Sequence, residues 1–146
     1  MSEIIIAPLE KEDIPYVAEL EAICFSMPFT EKALSELFSN TSWHFFVAKH
    51  ENKVVGYISF YCIIDETEIV NVCVLPEYRG QGIGRRLTQC AIDFNKEIKG
   101  TRVMLEVRIS NTPAIKLYES LGFIPVGVSK NHYKMPTEDA LLMNLE

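Results

Sequence analysis

A chain of 146 residues, 48% hydrophobic and 23% charged, has the size and mix of one globular domain able to bury about two-thirds of its unfolded surface. Its net charge of −6 argues against general nucleic-acid binding, which needs a basic footprint, and no apolar run approaches the roughly 20 residues of a membrane helix. The amino end lacks the basic region of a secretory leader, so a cytoplasmic protein is expected.

Ile4-Ile5-Ile6 predicts a first strand. Asp13 is a candidate N-cap, Pro15 fits the first turn of a helix, and Ile14, Val17, Ala18, Leu20 and Phe25 fall mostly on one face. Ser26-Met27-Pro28-Phe29 breaks that helix, and Thr30 caps a second whose buried stripe is Ala33, Leu34, Leu37 and Phe38. Trp43 to His50 and Val54 to Ile64 are rich in β-branched and aromatic residues and are joined by Glu51-Asn52-Lys53, a hairpin signal. Glu68 to Val74 is the next strand, with Glu68, Val70, Val72 and Val74 expected on one side and Ile69, Asn71 and Cys73 on the other.

A helix is expected from about Gly82 to Ile98, then a strand from Thr101 to Arg108 and a helix from Thr112 to Leu121 with Gly122 as its C′ residue. Phe123 to Val128 and Ala140 to Leu145 close the chain as strands. There are no repeats or linkers, so residues 1–146 are expected to form one domain. An antiparallel front half feeding a β-α-β-α unit predicts a mixed α/β sheet covered by helices. The strands ending at Val74 and Arg108 are then parallel neighbours that deliver residues to one crevice.

The stretch from Val72 to Arg85 carries the first chemistry. Strand residues run into Gly80-Gln81-Gly82-Ile83-Gly84, and Arg85-Arg86-Leu87 opens a helix. A helix start leaves four backbone N–H groups without internal partners, the helix dipole adds about half a positive charge, and glycines let an anion approach the backbone. A Walker A loop is excluded because Arg85-Arg86 stands where Lys-Ser/Thr is required, and the glycine spacing is not that of a dinucleotide fingerprint. Arg79-x-x-Gly82-x-Gly84 instead resembles the pyrophosphate loop of the GNAT superfamily of acetyl-CoA-dependent N-acetyltransferases.

A second block agrees with it. Asn111-x-x-Ala114-x-x-Leu117-Tyr118-x-x-Leu121-Gly122-Phe123 is similar to the later motif of the same superfamily, so the resemblance covers nearly the whole chain. Leu105-Glu106-Val107-Arg108-x-Ser110-Asn111 and the closing Glu138-Asp139-Ala140-x-x-Met143 look like its ribosomal-protein-alanine N-acetyltransferase (RimI-like) branch, which acetylates a protein N-terminus. The resemblance implies a GNAT-type fold: a mixed, mostly antiparallel sheet of about seven strands, its central parallel pair splayed at the acetyl-CoA site, with about four helices. It also implies acetyl-CoA as cosubstrate, Glu106 as general base and Tyr118 as general acid. Val72, Cys73, Val74, Arg79, Gly80, Gln81, Gly82, Ile83, Gly84, Arg85 and Asn111 would be the acetyl-CoA contacts.

The chemistry suits those residue types. An amine must be neutral to attack a thioester. A free α-amine titrates at about 7.7–8.0 and a lysine at about 10.4, so an α-amine is the easier acceptor. A carboxylate acting directly or through one water can take the proton, a backbone N–H near Val74 can face the developing oxyanion, and a phenol can meet the leaving thiolate. Three sources of the base stay open: Glu106, Glu68 (whose Glu68-Ile69-Val70-x-x-Cys73-Val74 resembles the base-bearing strand of histone-type members), and ordered water. Glu106 pointing to the open face and pairing with Arg108 is the structural alternative, as is Tyr118 packing on the sheet.

Cys24, Cys62, Cys73 and Cys90 form no C-x-x-C, and His44, His50 and His132 show no ligand spacing, so reduced thiols and no metal are expected. Pro28-Phe29-Thr30 and His132-Tyr133 stand where the branch usually shows Pro-Trp-Ser/Thr and paired tyrosines, in loops expected to flank the acceptor. Tyr133 either caps the acceptor's first residue or packs at a strand end. The acceptor implied is a protein N-terminus, most simply that of a ribosomal protein, met by a monomer or weak dimer with no nucleic acid or membrane partner. Lysine, polyamine or small-amine acetylation and a non-catalytic acetyl-CoA-binding module are the alternatives.

Overall fold

The computed structural model of the chain describes residues 3–146. Strand β1 (Ile4–Pro8) leads to α1 (Ile14–Cys24) and α2 (Glu31–Phe38), then to β2 (Trp43–His50), β3 (Lys53–Ile63) and β4 (Glu66–Val74). Helix α3 (Ile83–Glu97), β5 (Arg102–Arg108), α4 (Thr112–Ser120), β6 (Ile124–Tyr133) and β7 (Glu138–Leu145) complete it. The seven strands form one sheet in the order β1-β2-β3-β4-β5-β7-β6. Every pairing is antiparallel except β4 with β5, which holds only from Glu66 opposite Arg102 to Glu68 opposite Met104. Beyond that point the two strands part, as the splayed parallel pair expected from the sequence. Among the described residues no helix is long and apolar enough to cross a membrane.

The alternation of β3 assigns the layers. Gly56 lies under Ile83 and Leu87 of α3, and Phe60 meets Phe94 of the same helix at 5.4 Å between ring centroids. The intervening Tyr57 bonds Glu21 of α1, so α1 and α3 cover opposite faces. The core gathers where they press on the middle strands, with Val17 and Leu20 from α1, Ile83 and Leu87 from α3, and Ile58 and Phe60 beneath them.

Thr30 caps α2 as expected, its hydroxyl accepting from Ala33 N at 3.1 Å. Asp13 stands at the N-cap of α1 but turns its buried carboxylate backward, to Glu10 N at 2.9 Å and Lys49 Nζ at 3.0 Å. The faces of β4 also differ from expectation. Tyr57, Ser59 and Tyr61 point to one side and are paired with Cys73, Asn71 and Glu68, with Val70 bulged out between the last two. That extra residue reverses the alternation, so Glu68 shares a face with Asn71 and Cys73 rather than with Val72 and Val74. Strand β6 is longer than the expected Phe123–Val128 because it resumes after a break between Ser129 and Tyr133. There Asn131 adopts φ 49° and gives its N–H to Asp139 Oδ1 at 2.8 Å.

Glu21 is a fully buried carboxylate, 0% exposed. Its carboxylate accepts from Tyr57 Oη, from Asn71 Nδ2 at 2.8 Å and from Phe29 N at 2.8 Å, joining α1 to β3, β4 and the 25–30 segment. Burial nevertheless raises its pKa, against the pull of those three donors. A group whose pKa is higher folded than unfolded stabilises the fold below its unfolded value and loses that contribution as pH rises through the folded one. The stability advantage of the unmodified chain over Glu21→Gln is therefore expected to be largest near pH 4. It should shrink toward pH 8, at up to about 1.4 kcal/mol per pH unit. Urea midpoints of both proteins across that range measure it, and parallel pH profiles would contradict the raised value.

Candidate active site

The crevice begins where β4 and β5 separate. On one side of it the chain leaves β4 through Leu75 and a short 3-10 turn, Pro76–Tyr78, into the glycine loop. Gly80 and Gly82 both take φ 80°, a conformation that L side chains resist, and Gly82 is the N-cap of α3. No side chain caps that helix start among the described residues, so its first-turn amides face outward to the crevice. A cavity of about 660 Å³ lies over them, lined by Gly80, Gly82, Gly84, Val72, Val74 and Asn111 among others. The uncapped amides, the two glycines and this volume fit a diphosphate carried by a long ligand.

The residues expected to bind acetyl-CoA fall into groups. Val72, Cys73, Val74, Arg79, Gly80, Gly82, Ile83, Gly84, Arg85 and Asn111 all line this cavity, while Gln81 is not among its lining residues. Arg79 directs Nε to Val74 O at 3.0 Å and Nη2 to Cys24 Sγ at 3.8 Å, binding the end of β4 to α1. Arg85 gives Nη1 to Ser120 Oγ at 2.6 Å and so ties α3 to α4. Asn111 caps α4, its side chain accepting from Ala114 N at 3.3 Å.

A second cavity of about 390 Å³ continues the first across the splayed strands. Val72, Asn111, Ala114, Tyr118, Cys24 and Phe25 line both, so the two spaces meet at those residues. Tyr118 is 8% exposed and packs edge-on against Phe123 at 5.8 Å. Burial, and then the neighbouring Tyr133, push its phenol up to about 12, which keeps it a proton donor at neutral pH. Glu106 lines the second cavity and meets His132 Nε2, not Arg108. Glu68 lies outside that lining, and its carboxylate accepts from Tyr61 Oη. That bond is the first cause of a Tyr61 phenol raised to about 12.

The far wall is built by the end of β6 and the turn that follows it. Arg108 lies 4.5 Å over the Tyr133 ring and donates to Lys134 O at 3.1 Å, Pro136 O at 2.9 Å and Glu138 Oε1 at 3.2 Å. Ser26 Oγ reaches Lys134 O at 3.5 Å across the mouth. Tyr133 is thus both packed and part of the lining. The contact of His132 with Glu106 was not legible in the sequence. The only signal was the departure from paired tyrosines, and nothing in it named a partner on β5.

Cys24 sits at the meeting point of the cavities. Its thiol is lowered to about 7 by the hydrogen bond with the Cys73 thiol and, against the cost of burial, by Arg79. Cys73 is pushed up by the same pairing and by burial, and Cys90 by burial. The lowered pKa gives Cys24 a larger thiolate share at neutral pH than an ordinary thiol has. Iodoacetamide is expected to alkylate Cys24 about tenfold faster than Cys73 or Cys90, and coenzyme A to slow that reaction. Peptide mass mapping over time measures both, and labelling that coenzyme A leaves untouched would separate Cys24 from the ligand space.

Comparison with known proteins agrees with this geometry. The pattern of the acetyltransferase (GNAT) family matches residues 14–123. A Bacillus subtilis protein whose name assigns it, provisionally, as a [ribosomal protein bS18]-alanine N-acetyltransferase is 40% identical over 133 residues, spanning 90% of this chain and 88% of its own. The [ribosomal protein bS18]-alanine N-acetyltransferase of Escherichia coli strain K12 is 33% identical over 144 residues, spanning 96% and 95% of the two chains. The crystal structure of the ribosomal-protein-S18-alanine N-acetyltransferase from Escherichia coli superposes with a TM-score of 0.89 at 32% identity, covering 98% of this chain and 93% of that one.

Proposed function

The chain belongs to the acetyltransferase (GNAT) family, and from that premise we propose that it acetylates the N-terminal α-amine of a protein, a small-subunit ribosomal protein beginning with alanine. The observation that carries the reading is the junction of two cavities at Val72 and Tyr118, one over an uncapped helix start and the other beside a carboxylate.

Bound acetyl-CoA would supply the electrophile, a thioester carbonyl. The amides at the start of α3, with Gly80 and Gly82, are the groups that would hold its diphosphate. The carboxylate of Glu106 takes the proton that an α-ammonium must lose before it can attack. Tyr118, held as a neutral phenol, gives a proton to the departing thiolate. Direct attack of the amine on the thioester needs no protein nucleophile. Tyr133, Phe25 and Met27 line the second cavity and narrow the approach to the amine.

That E. coli relative is named for ribosomal protein bS18, which supports a ribosomal acceptor here. Cytoplasmic action follows, and four unpaired cysteines agree with a reducing compartment. The test offers acetyl-CoA with short peptides starting in alanine, including the start of bS18, and with a lysine peptide blocked at its N-terminus. The α-amine peptides are expected to gain one acetyl group. Acetylation of the blocked peptide alone would turn the reading toward lysine or small amines, and no transfer at all toward a binding module.

A further inference from the structure

Glu106 and His132 are each 35% exposed at the side chain and meet in the lining of the second cavity, from β5 and from the end of β6. The ring is fixed on its other sides too. Its Nδ1 lies 3.4 Å from Ser129 Oγ, and its plane stands edge-on to Tyr133 at 4.9 Å and 82°. The nearby charges are engaged elsewhere: Arg108 with Glu138 at 3.2 Å, Lys130 with Asp139 at 3.6 Å, and Glu68 with Tyr61. The imidazole is therefore the group that fixes Glu106.

A glutamate on a strand has three rotatable side-chain torsions, and a base must aim one oxygen at the proton it takes. The His132 contact is made through Oε2. We infer that His132 is a positioning residue for acetyl transfer: its Nε2–H holds one carboxylate oxygen of Glu106, so that the other faces the acceptor ammonium. A carboxylate oxygen only accepts, so the ring hydrogen in this contact is carried on Nε2, while Nδ1 lies beside the Ser129 hydroxyl. The proton lost by the ammonium goes to Oε1 of Glu106, and the histidine hydrogen stays where it is. The inference rests on Glu106 being the base in the proposed reaction.

Substitution at residue 132 lies at the surface of an edge strand, and circular dichroism checks that each variant is folded. With an alanine-starting peptide, His132→Ala is expected to lower kcat about tenfold or more while the peptide KM stays within about twofold, because aim is lost and binding is not. His132→Gln, whose amide also offers an N–H, should bring kcat back to within about threefold of the unmodified chain. Independently of turnover, the ring nitrogen resonances of His132 should shift in Glu106→Ala.

Each of four outcomes overturns the role: kcat unchanged in His132→Ala, a loss carried by KM alone, His132→Gln as slow as His132→Ala, or unmoved ring resonances. Turnover by the unmodified chain together with any of these sinks the role of His132 and leaves the enzyme standing. Absence of turnover by the unmodified chain sinks both.

Discussion

Glu106→Gln is expected to lower kcat/KM for an alanine-starting peptide by about 10²–10⁴-fold, the usual contribution of a general base. The amide oxygen of glutamine can still accept from His132, so the pairing and the shape of the cavity are kept. What disappears is a group able to take a proton. The neighbours Leu105 and Val107 remain buried beneath the strand, so the unfolding midpoint should move little. Glu68→Gln is the comparison. Its carboxylate is held by Tyr61, and its effect on rate should be several-fold at most. A loss in Glu68→Gln exceeding that in Glu106→Gln would transfer the base to β4. Near-normal rates in both would leave water as the acceptor of the proton.

Much of the architecture was legible because local signals agreed with the global fold. Thr30 announced α2, and the turn at Glu51 and Asn52, both at positive φ, joined β2 to β3 where the polar break stood. The uncapped start of α3 followed from three glycines between a strand and a helix. What stayed hidden depended on pairing between distant segments. The bulge at Val70 exists only relative to β3, and a single strand read at period two cannot show it. The burial of Glu21 likewise needs Tyr57, Asn71 and Phe29 brought in from three other segments, and alone it looks like one more polar residue of α1.

The same distinction governs the site. Val72 to Val74, Tyr78 to Gly80 and Gly82 to Arg85 belong to one continuous segment, so their joint presence at a cavity could be expected from order along the chain. Glu106 and Tyr118 were singled out by the family resemblance, and the strand and the next helix that carry them both reach the second cavity. The second cavity is assembled from the end of α1, β4, the end of β5, α4 and the end of β6, and the residues after Val128 looked like a polar loop. Their return to the sheet brings His132 and Tyr133 inward through pairing with β7. Arg108, the nearest sequence partner of Glu106, is drawn away by Glu138 and the carbonyls of the turn, leaving Glu106 to the histidine.

Gly82→Val is expected to weaken acetyl-CoA binding by about 10–100-fold. Gly82 holds φ 80° and ψ 10° at the start of α3, where a β-branched side chain is strained by about 1–3 kcal/mol. A Cβ there meets no atom within 4 Å, so no neighbour is displaced and the strain is conformational. The loop can relieve it only by turning its peptide planes, and those planes carry the amides that face the cavity. Each 1.4 kcal/mol lost from the bound state is tenfold in affinity, which sets the expected range. Gly84 lies in the same motif but inside the helix and without positive φ, where an added Cβ makes ordinary contact with Leu117 Cδ2 at 3.5 Å. Gly84→Ala should therefore cost only a few-fold. Calorimetric titration of acetyl-CoA into the two variants and the unmodified chain distinguishes backbone conformation from glycine content. Equal affinity in all three would remove the loop from the binding site, and with it the reason for placing the thioester at the junction beside Tyr118.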